Sequence, residues 1–216
     1  MIDIVFVANS KNSFLKQMTS NAIRTARDRA GTDIGSVVVV EQCRYTMEHK
    51  NAKTLYYDFE FNYNKCLNLG FYVCRSEYVA FCNNDLFFEK NWAKNIIHEM
   101  LKGGYKSASP TPKHQFNGVK EGYKIGKIVL GWCIVAHRSV IEQIGGFATP
   151  VEFWYSDNVY AEQLKKHNIK HILVGTSYVK HLTSITLRKI GQQTRKKYQK
   201  EQEVKFNNWK NVYTST

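Results

Sequence analysis

The 216 residues predict an α/β domain, with a mainly parallel sheet flanked by helices and a basic helical tail at the end. Three observations carry that prediction. Short β-branched runs alternate with stretches whose apolar residues recur at threes and fours. Polar residues follow several of the strand-like runs, as they do at the ligand-binding ends of open α/β sheets. The length matches the roughly 100–200 residues of one domain, which argues against two independent cores.

Ile2 to Ala8 is the first predicted strand, broken by Asn9 and Ser10. Leu15, Met18, Ala22, Ile23 and Ala26 then give Phe14 to Ala30 a helical period. Ser36 to Val40 is a second strand, whose uniform β-branched character suits burial on both faces. Asn62 to Leu69 reads as a short helix ended by Gly70, and Glu77 to Cys82 as a strand closing on Asn83, Asn84 and Asp85. Glu89 to Leu101 is a helix stopped by Gly103 and Gly104, and Lys106 to Ser109 resumes the sheet. Thr111 to Lys127 is polar and glycine-rich and reads as a mobile loop. Ile128 to Ala136 is a strand, Arg138 to Ile144 and Asp157 to His167 are helices, and Ile169 to Gly175 is a last strand. The boundary between domain and tail is set at 186/187, giving a domain over 1–186 and a basic helical extension over 187–216.

Hydrophobic residues make up 43% and aromatics 13%, which excludes a largely disordered chain. Five cysteines, an odd count without a C-x-x-C pair, imply neither a disulfide framework nor a zinc finger, and a reducing cytoplasm fits them best. No run of about 18 uncharged apolar residues and no basic leader is present, so neither a membrane span nor secretion is expected. Neither G-x-x-x-x-G-K-[ST] nor G-x-G-x-x-G occurs, which removes the main support for a kinase or a dinucleotide-binding enzyme.

The net charge is +13, and the excess is uneven. Leu187 to Thr216 carries eight Lys and Arg against Glu201 and Glu203. Such a tail is either a solvated helix face or a docking surface for a polyanion, with Arg195, Lys196 and Lys197 as the candidate contacts.

Asp85, directly after a hydrophobic strand, has two readings: a turn residue, or a metal ligand facing a cleft. A downstream pattern weighs on the choice, running from Gly131 through Arg138 and Ile144-Gly145-Gly146-Phe147 to Tyr155-Ser156-Asp157 and Leu164. Together with Asn83-Asn84-Asp85 and the stretch FNYNKCLNLGF, this order resembles the family 2 inverting glycosyltransferases of the GT-A fold, a Rossmann-like domain. The resemblance runs from Ile2 to about His181, and it departs from the family pattern at Asn83 and Ser156, where acids are usual.

The resemblance implies a nucleotide-sugar donor, a UDP-sugar first among them, and a Mn2+ or Mg2+ ion that neutralises the leaving diphosphate. Asp85 would hold that ion, with His181 as a second metal or phosphate contact. Ala8, Asn9, Ser10, Glu41, Asn62, Asn64, Asn68, Asn83 and Asn84 fall on the donor side, with Glu41 expected on the nucleobase. Asp157 is the candidate general base, its pKa expected to be held low by a helix N-terminus; a helix cap is its structural alternative. Trp154, Tyr155 and Ser156 fall on the acceptor side, with Trp154 able to stack on a sugar ring. Modified DNA or another polyanion is one candidate acceptor, and a saccharide or lipid-linked glycan the other. A non-catalytic binding module on the same fold is the rival function, and oligomeric state is left open.

Overall fold

A computed structural model describes residues 1–44, 48–113, 116–182 and 192–215. The chain begins with β1 (Ile2–Ala8), α1 (Ser13–Asp28), β2 (Ile34–Glu41) and β3 (Lys53–Tyr56). There follow α2 (Tyr63–Val73), β4 (Tyr78–Asn83), β5 (Leu86–Phe88), α3 (Trp92–Gly103), β6 (Ser107–Thr111) and β7 (Val119–Glu121). The last elements are β8 (Cys133–His137), α4 (Arg138–Gln143), α5 (Ser156–Lys166), β9 (His171–His181) and α6 (Gln192–Ser215).

The strands form one sheet in the order β3-β2-β1-β4-β8-β6-β9-β5, with β7 added against β9. β3, β2, β1 and β4 run parallel, while β8 is antiparallel to both β4 and β6, and β9 is parallel to β6. This arithmetic of directions decides where function can sit. The carboxyl ends of β1, β4 and β9 and the amino end of β8 all emerge at one edge, which gathers Asn9, Asn83 to Asp85, Trp132 and His181.

Alternation along β1 explains how the core forms. Ile2, Ile4 and Phe6 pack into one cluster with α1 and α3, whereas Val5 and Val7 pack into the opposite cluster with α2, α4 and α5. Burying both faces leaves every β1 residue in the interior, and each large side chain sealed this way contributes roughly 1.5–3 kcal/mol. Among the described residues no helix is long and apolar enough to cross a membrane.

Four sequence expectations are corrected. Gly70 does not end α2 but lies within it, because a Cβ there would meet Val5 Cγ1 at 2.3 Å; the glycine lets the helix press onto β1. The strand expected from Ile128 begins only at Cys133, since a turn closed by Cys133 N–H donating to Leu130 O (2.9 Å) occupies the residues before it. β7 lies inside the expected loop, where it pairs antiparallel with β9. β3 and β5 were not expected at all, being short strands of mixed polarity or immediately after a turn. The expected boundary at 186/187 lies outside the described residues, but α6 covers most of the predicted tail.

α6 is docked rather than free. Tyr198, Gln202, Phe206, Trp209 and Tyr213 recur at helical spacing, and Phe206 packs with Val151 and Val159. The Phe206 ring stacks on Tyr155 with centroids 5.4 Å apart. Glu152 fixes the same region: its N–H donates to Gln202 Oε1 (2.6 Å), and its carboxylate accepts from Gln202 and Lys205.

Candidate active site

At the sheet edge just described lies a cleft of about 570 Å³. One half is built from the ends of β1 and β4 with the start of α2, the other from the 153–157 segment, the turn before β8, and α6. Asp85 and Asp157, far apart in sequence, both line it.

Asp85 follows β4 directly and is 7% exposed. Leu182 N–H donates to its backbone oxygen (2.9 Å), which ties the end of β9 to the turn and carries His181 alongside. His181 Nε2 lies 3.2 Å from Asp85 Oδ1, close enough for an ion pair but out of hydrogen-bond alignment, so that this buried oxygen has no hydrogen-bond donor among the described residues. Trp132 stacks on the His181 ring with centroids 5.4 Å apart and fixes its plane. An oxygen and an imidazole nitrogen side by side, the oxygen buried and unsatisfied, fit a divalent cation that takes its remaining ligands from phosphate and water. No group of three or more His, Cys, Asp or Glu is gathered for a metal among the described residues.

Asp157 lies in the first turn of α5, two residues after Tyr155, whose left-handed conformation (φ 68°) starts the helix. It is therefore not the cap. Part of its surface opens onto the cleft, yet burial raises its pKa, and the Asn158 N–H donating to Oδ1 (3.0 Å) offsets this only in part. The expectation of a low pKa is reversed: protein packed around the carboxylate outweighs the helix end. Gly131 is one such neighbour, since a Cβ at that position would stand 2.6 Å from Asp157 Cβ.

Asn83 and Tyr63 connect the two halves. Tyr63 O–H donates to Asn83 Oδ1 (2.8 Å), and its phenol is pushed well up by burial and by the nearby thiols and carboxylates, Asp85 and Asp157 among them. Tyr63 was missed because only the asparagines of its helix stood out in sequence. Trp132 was missed for want of any spacing signal, because the sequence placed it inside the strand expected from Ile128, whereas β8 starts only at Cys133.

The donor-side expectations divide. Ala8, Asn9, Asn64, Asn83 and Asn84 line the cleft. Asn9 donates from Nδ2 to Gln42 Oε1 (3.2 Å), and Asn64 from Nδ2 to Ala148 O (2.6 Å), leaving the buried Oδ1 of each without a partner among the described residues. Asn84 Nδ2 donates to Thr19 Oγ1 of α1 (2.9 Å), holding the turn after β4.

Glu41, Ser10, Asn62 and Asn68 are not among the residues that line the cleft. Glu41 is fully buried and accepts from Ser10 N–H (2.8 Å), Cys43 N–H (2.9 Å) and, as the ring tautomer allows, His49 Nε2 (3.1 Å). Burial would raise its pKa, but these hydrogen bonds, led by His49, hold it below the usual carboxylate value. Asn62 caps α2 by accepting from Lys65 N–H (3.0 Å) and donates to Val151 O (2.8 Å). Asn68 clamps Phe147, accepting from its N–H and donating to its carbonyl, both at 2.9 Å.

Trp154, Tyr155 and Ser156 all line the cleft. The Trp154 ring meets Tyr198 of α6 edge-on with centroids 5.2 Å apart, while Ser156 Oγ is turned aside to donate to Phe153 O (2.7 Å). Of the three expected polyanion contacts, Arg195 lines the cleft, and Lys196 and Lys197 are exposed outside it. Arg138 donates to Cys74 O (2.6 Å), distant from the chemistry.

The glycosyl transferase family 2 model matches residues 35–177. Comparison with curated protein sequences finds no match. Among solved structures, a 1–349 fragment of S. aureus TarS is similar with a TM-score of 0.61 at 11% identity, covering 82% of this chain and 59% of that one. The same fragment in complex with UDP-GlcNAc gives 0.62 at 12% identity, with 82% and 57% covered. A longer S. aureus TarS structure gives 0.61 at 12%, with 82% and 36% covered. The chain thus spans less than 60% of the length of these structures, and the likeness speaks for a shared fold.

Proposed function

Since the chain belongs to glycosyl transferase family 2, we propose that it moves a sugar from a nucleotide-sugar donor, a UDP-sugar, to an acceptor hydroxyl with inversion at the anomeric carbon. The observation that carries this is the meeting of Asp85 and Asp157 in one cleft at the ligand-binding edge of the sheet. A complex of the structurally similar TarS with UDP-GlcNAc supports the choice of UDP.

Asp157 takes the proton from the acceptor hydroxyl as it attacks from the side opposite the diphosphate. Its raised pKa suits that task, since a stronger base accepts the proton more readily. Asp85 and His181 would hold a Mn2+ or Mg2+ ion, which when bound supplies positive charge to the departing diphosphate. Tyr63 steadies Asn83 beside Asp85, and Trp132 keeps the His181 ring in plane. The unpartnered Oδ1 atoms of Asn9 and Asn64 suit donors on the nucleobase and on sugar hydroxyls. Trp154 offers an apolar face to a pyranose.

The acceptor carries negative charge, with modified DNA or another polyanion as the candidates; the net charge of +13 supports this. A thermal-shift screen of UDP, GDP and ADP with and without Mn2+ tests donor class and metal need together. Stabilisation by UDP that grows with Mn2+ is expected. No shift with any diphosphate, combined with no turnover over a donor panel, refutes the proposal.

A further inference from the structure

The docked face of α6 contains one residue that its packing does not use. Tyr198, Gln202, Phe206, Trp209 and Tyr213 form a single stripe, and Arg195, one turn before Tyr198, continues the same line. Lys196, Lys197 and Lys200 point around the helix away from it. Further along α6 the cations near the packed face are paired, Lys205 with Glu152 and Lys210 with Glu162. Arg195 has no ion-pair partner among the described residues, yet it borders the cleft together with Tyr198.

The neighbours of α6 assign it to one half of the site. It packs against Glu152, Trp154 and Tyr155, the segment leading directly into Asp157. The family match ends at residue 177, so this wall lies outside the part of the chain that the family model describes.

We infer that α6 adds an acceptor subsite to the cleft, in which Arg195 binds a phosphodiester phosphate of the acceptor next to a sugar ring held against Trp154 and Tyr198. This rests on the glycosyl-transfer proposal and names what that proposal leaves open. A guanidinium suits the part, because its planar fork meets two phosphate oxygens at once and it stays charged at any working pH. Two aromatic rings inclined at 71° beside it form a corner that accepts a ring with its phosphate turned toward the cation.

The test measures binding of two probes of equal charge, a twelve-nucleotide oligothymidylate and a glycerol-phosphate oligomer, to the full chain with UDP and Mn2+ present. Both carry phosphodiesters, and the tighter one identifies the source of the acceptor phosphate. In Arg195→Ala the affinity for the tighter probe should fall roughly tenfold. The slope of log K against log salt should become shallower by about 0.7, the value of one phosphate contact. The UDP-induced thermal shift should stay at its wild-type value. Lys197→Ala, on the outward face, should bind the probe as wild type does.

Equal weakening by Arg195→Ala and Lys197→Ala overturns the inference in favour of diffuse charge, and unchanged binding in Arg195→Ala overturns it outright. A reduced UDP shift in Arg195→Ala also overturns it, by moving the arginine to the donor. Failure of the underlying proposal reads differently, as absence of any UDP shift in the wild-type chain.

Discussion

Replacing Gly131 by alanine tests whether the position of Asp157 matters for turnover without touching a polar group. The added methyl would stand 2.6 Å from Asp157 Cβ and 2.9 Å from its Oδ2, where ordinary contact begins at 3.4 Å. One side must therefore give way by about 0.8 Å. The turn carrying Gly131 is held on both flanks, by Leu130 N–H donating to Ser109 Oγ (3.1 Å) and by Trp132 O accepting from Asn83 N–H (2.9 Å). The Asp157 Cβ is carried by the first turn of α5, so either that turn or the Gly131 turn shifts, and in both cases the carboxylate is displaced relative to the cleft. Displacing a catalytic group by close to 1 Å costs about 10²-fold in rate, whereas overpacking costs roughly 1–3 kcal/mol of stability. UDP release at saturating donor, read beside a melting curve, separates the two effects. Turnover within threefold of wild type would refute the reasoning, whether or not the melting temperature had dropped.

Other expectations concern charge. Asp157→Asn should lower turnover by roughly 10²–10⁴-fold, while the UDP-induced thermal shift is retained. The folded pKa of Asp157 lies above its unfolded value, so its contribution to stability is present at low pH and lost as pH rises through the raised value. Asp157→Asn should consequently melt higher than wild type near pH 7, and that advantage should vanish below about pH 4. For the same reason the acid limb of kcat/KM should fall above the usual aspartate range in wild type. Glu41 has the opposite sign, with a lowered folded pKa, so its contribution is present above the unfolded value and lost as pH falls through the folded one. Glu41→Gln should cost about 2 kcal/mol at pH 7 in chemical denaturation, with the deficit shrinking toward pH 3. Asp85→Asn should weaken the Mn2+ dependence of the UDP shift by roughly tenfold or more, and an unaltered Mn2+ titration would remove Asp85 from the metal site.

The long elements were legible because burial on two faces leaves a strong periodic record. β1, β2 and β4 are mostly apolar, and α1 and α3 repeat at threes and fours. Shorter strands left no such record: Lys53 to Tyr56 is at most half-buried at a sheet edge, and Val119 to Glu121 exists only because β9 offers a neighbour. Within the site, Asp85 and Asp157 were readable as acids at the end of a strand and the start of a helix. The asparagines were not separable in sequence, since Asn64 borders the cleft while Asn68, four residues on, spends both amide atoms on Phe147. Glu41 shows the same ambiguity, because an acid after a strand can as well gather backbone N–H groups, as it does from Ser10 and Cys43, as face a ligand. The reversal at Asp157 depended on burial of its carboxylate, which only the fold reveals.

Glu152 accepts the Tyr63 N–H through its carbonyl (2.7 Å) and gathers Gln202 and Lys205 through its side chain. One residue thus anchors two things of different permanence, the start of a core helix and a terminal helix laid on from outside. A terminal helix attached along a single narrow seam can be exchanged or recharged without rebuilding the sheet that meets the nucleotide. On the inferred acceptor role of α6, a change of target is written in that helix, while the chemistry at the sheet edge stays as it was.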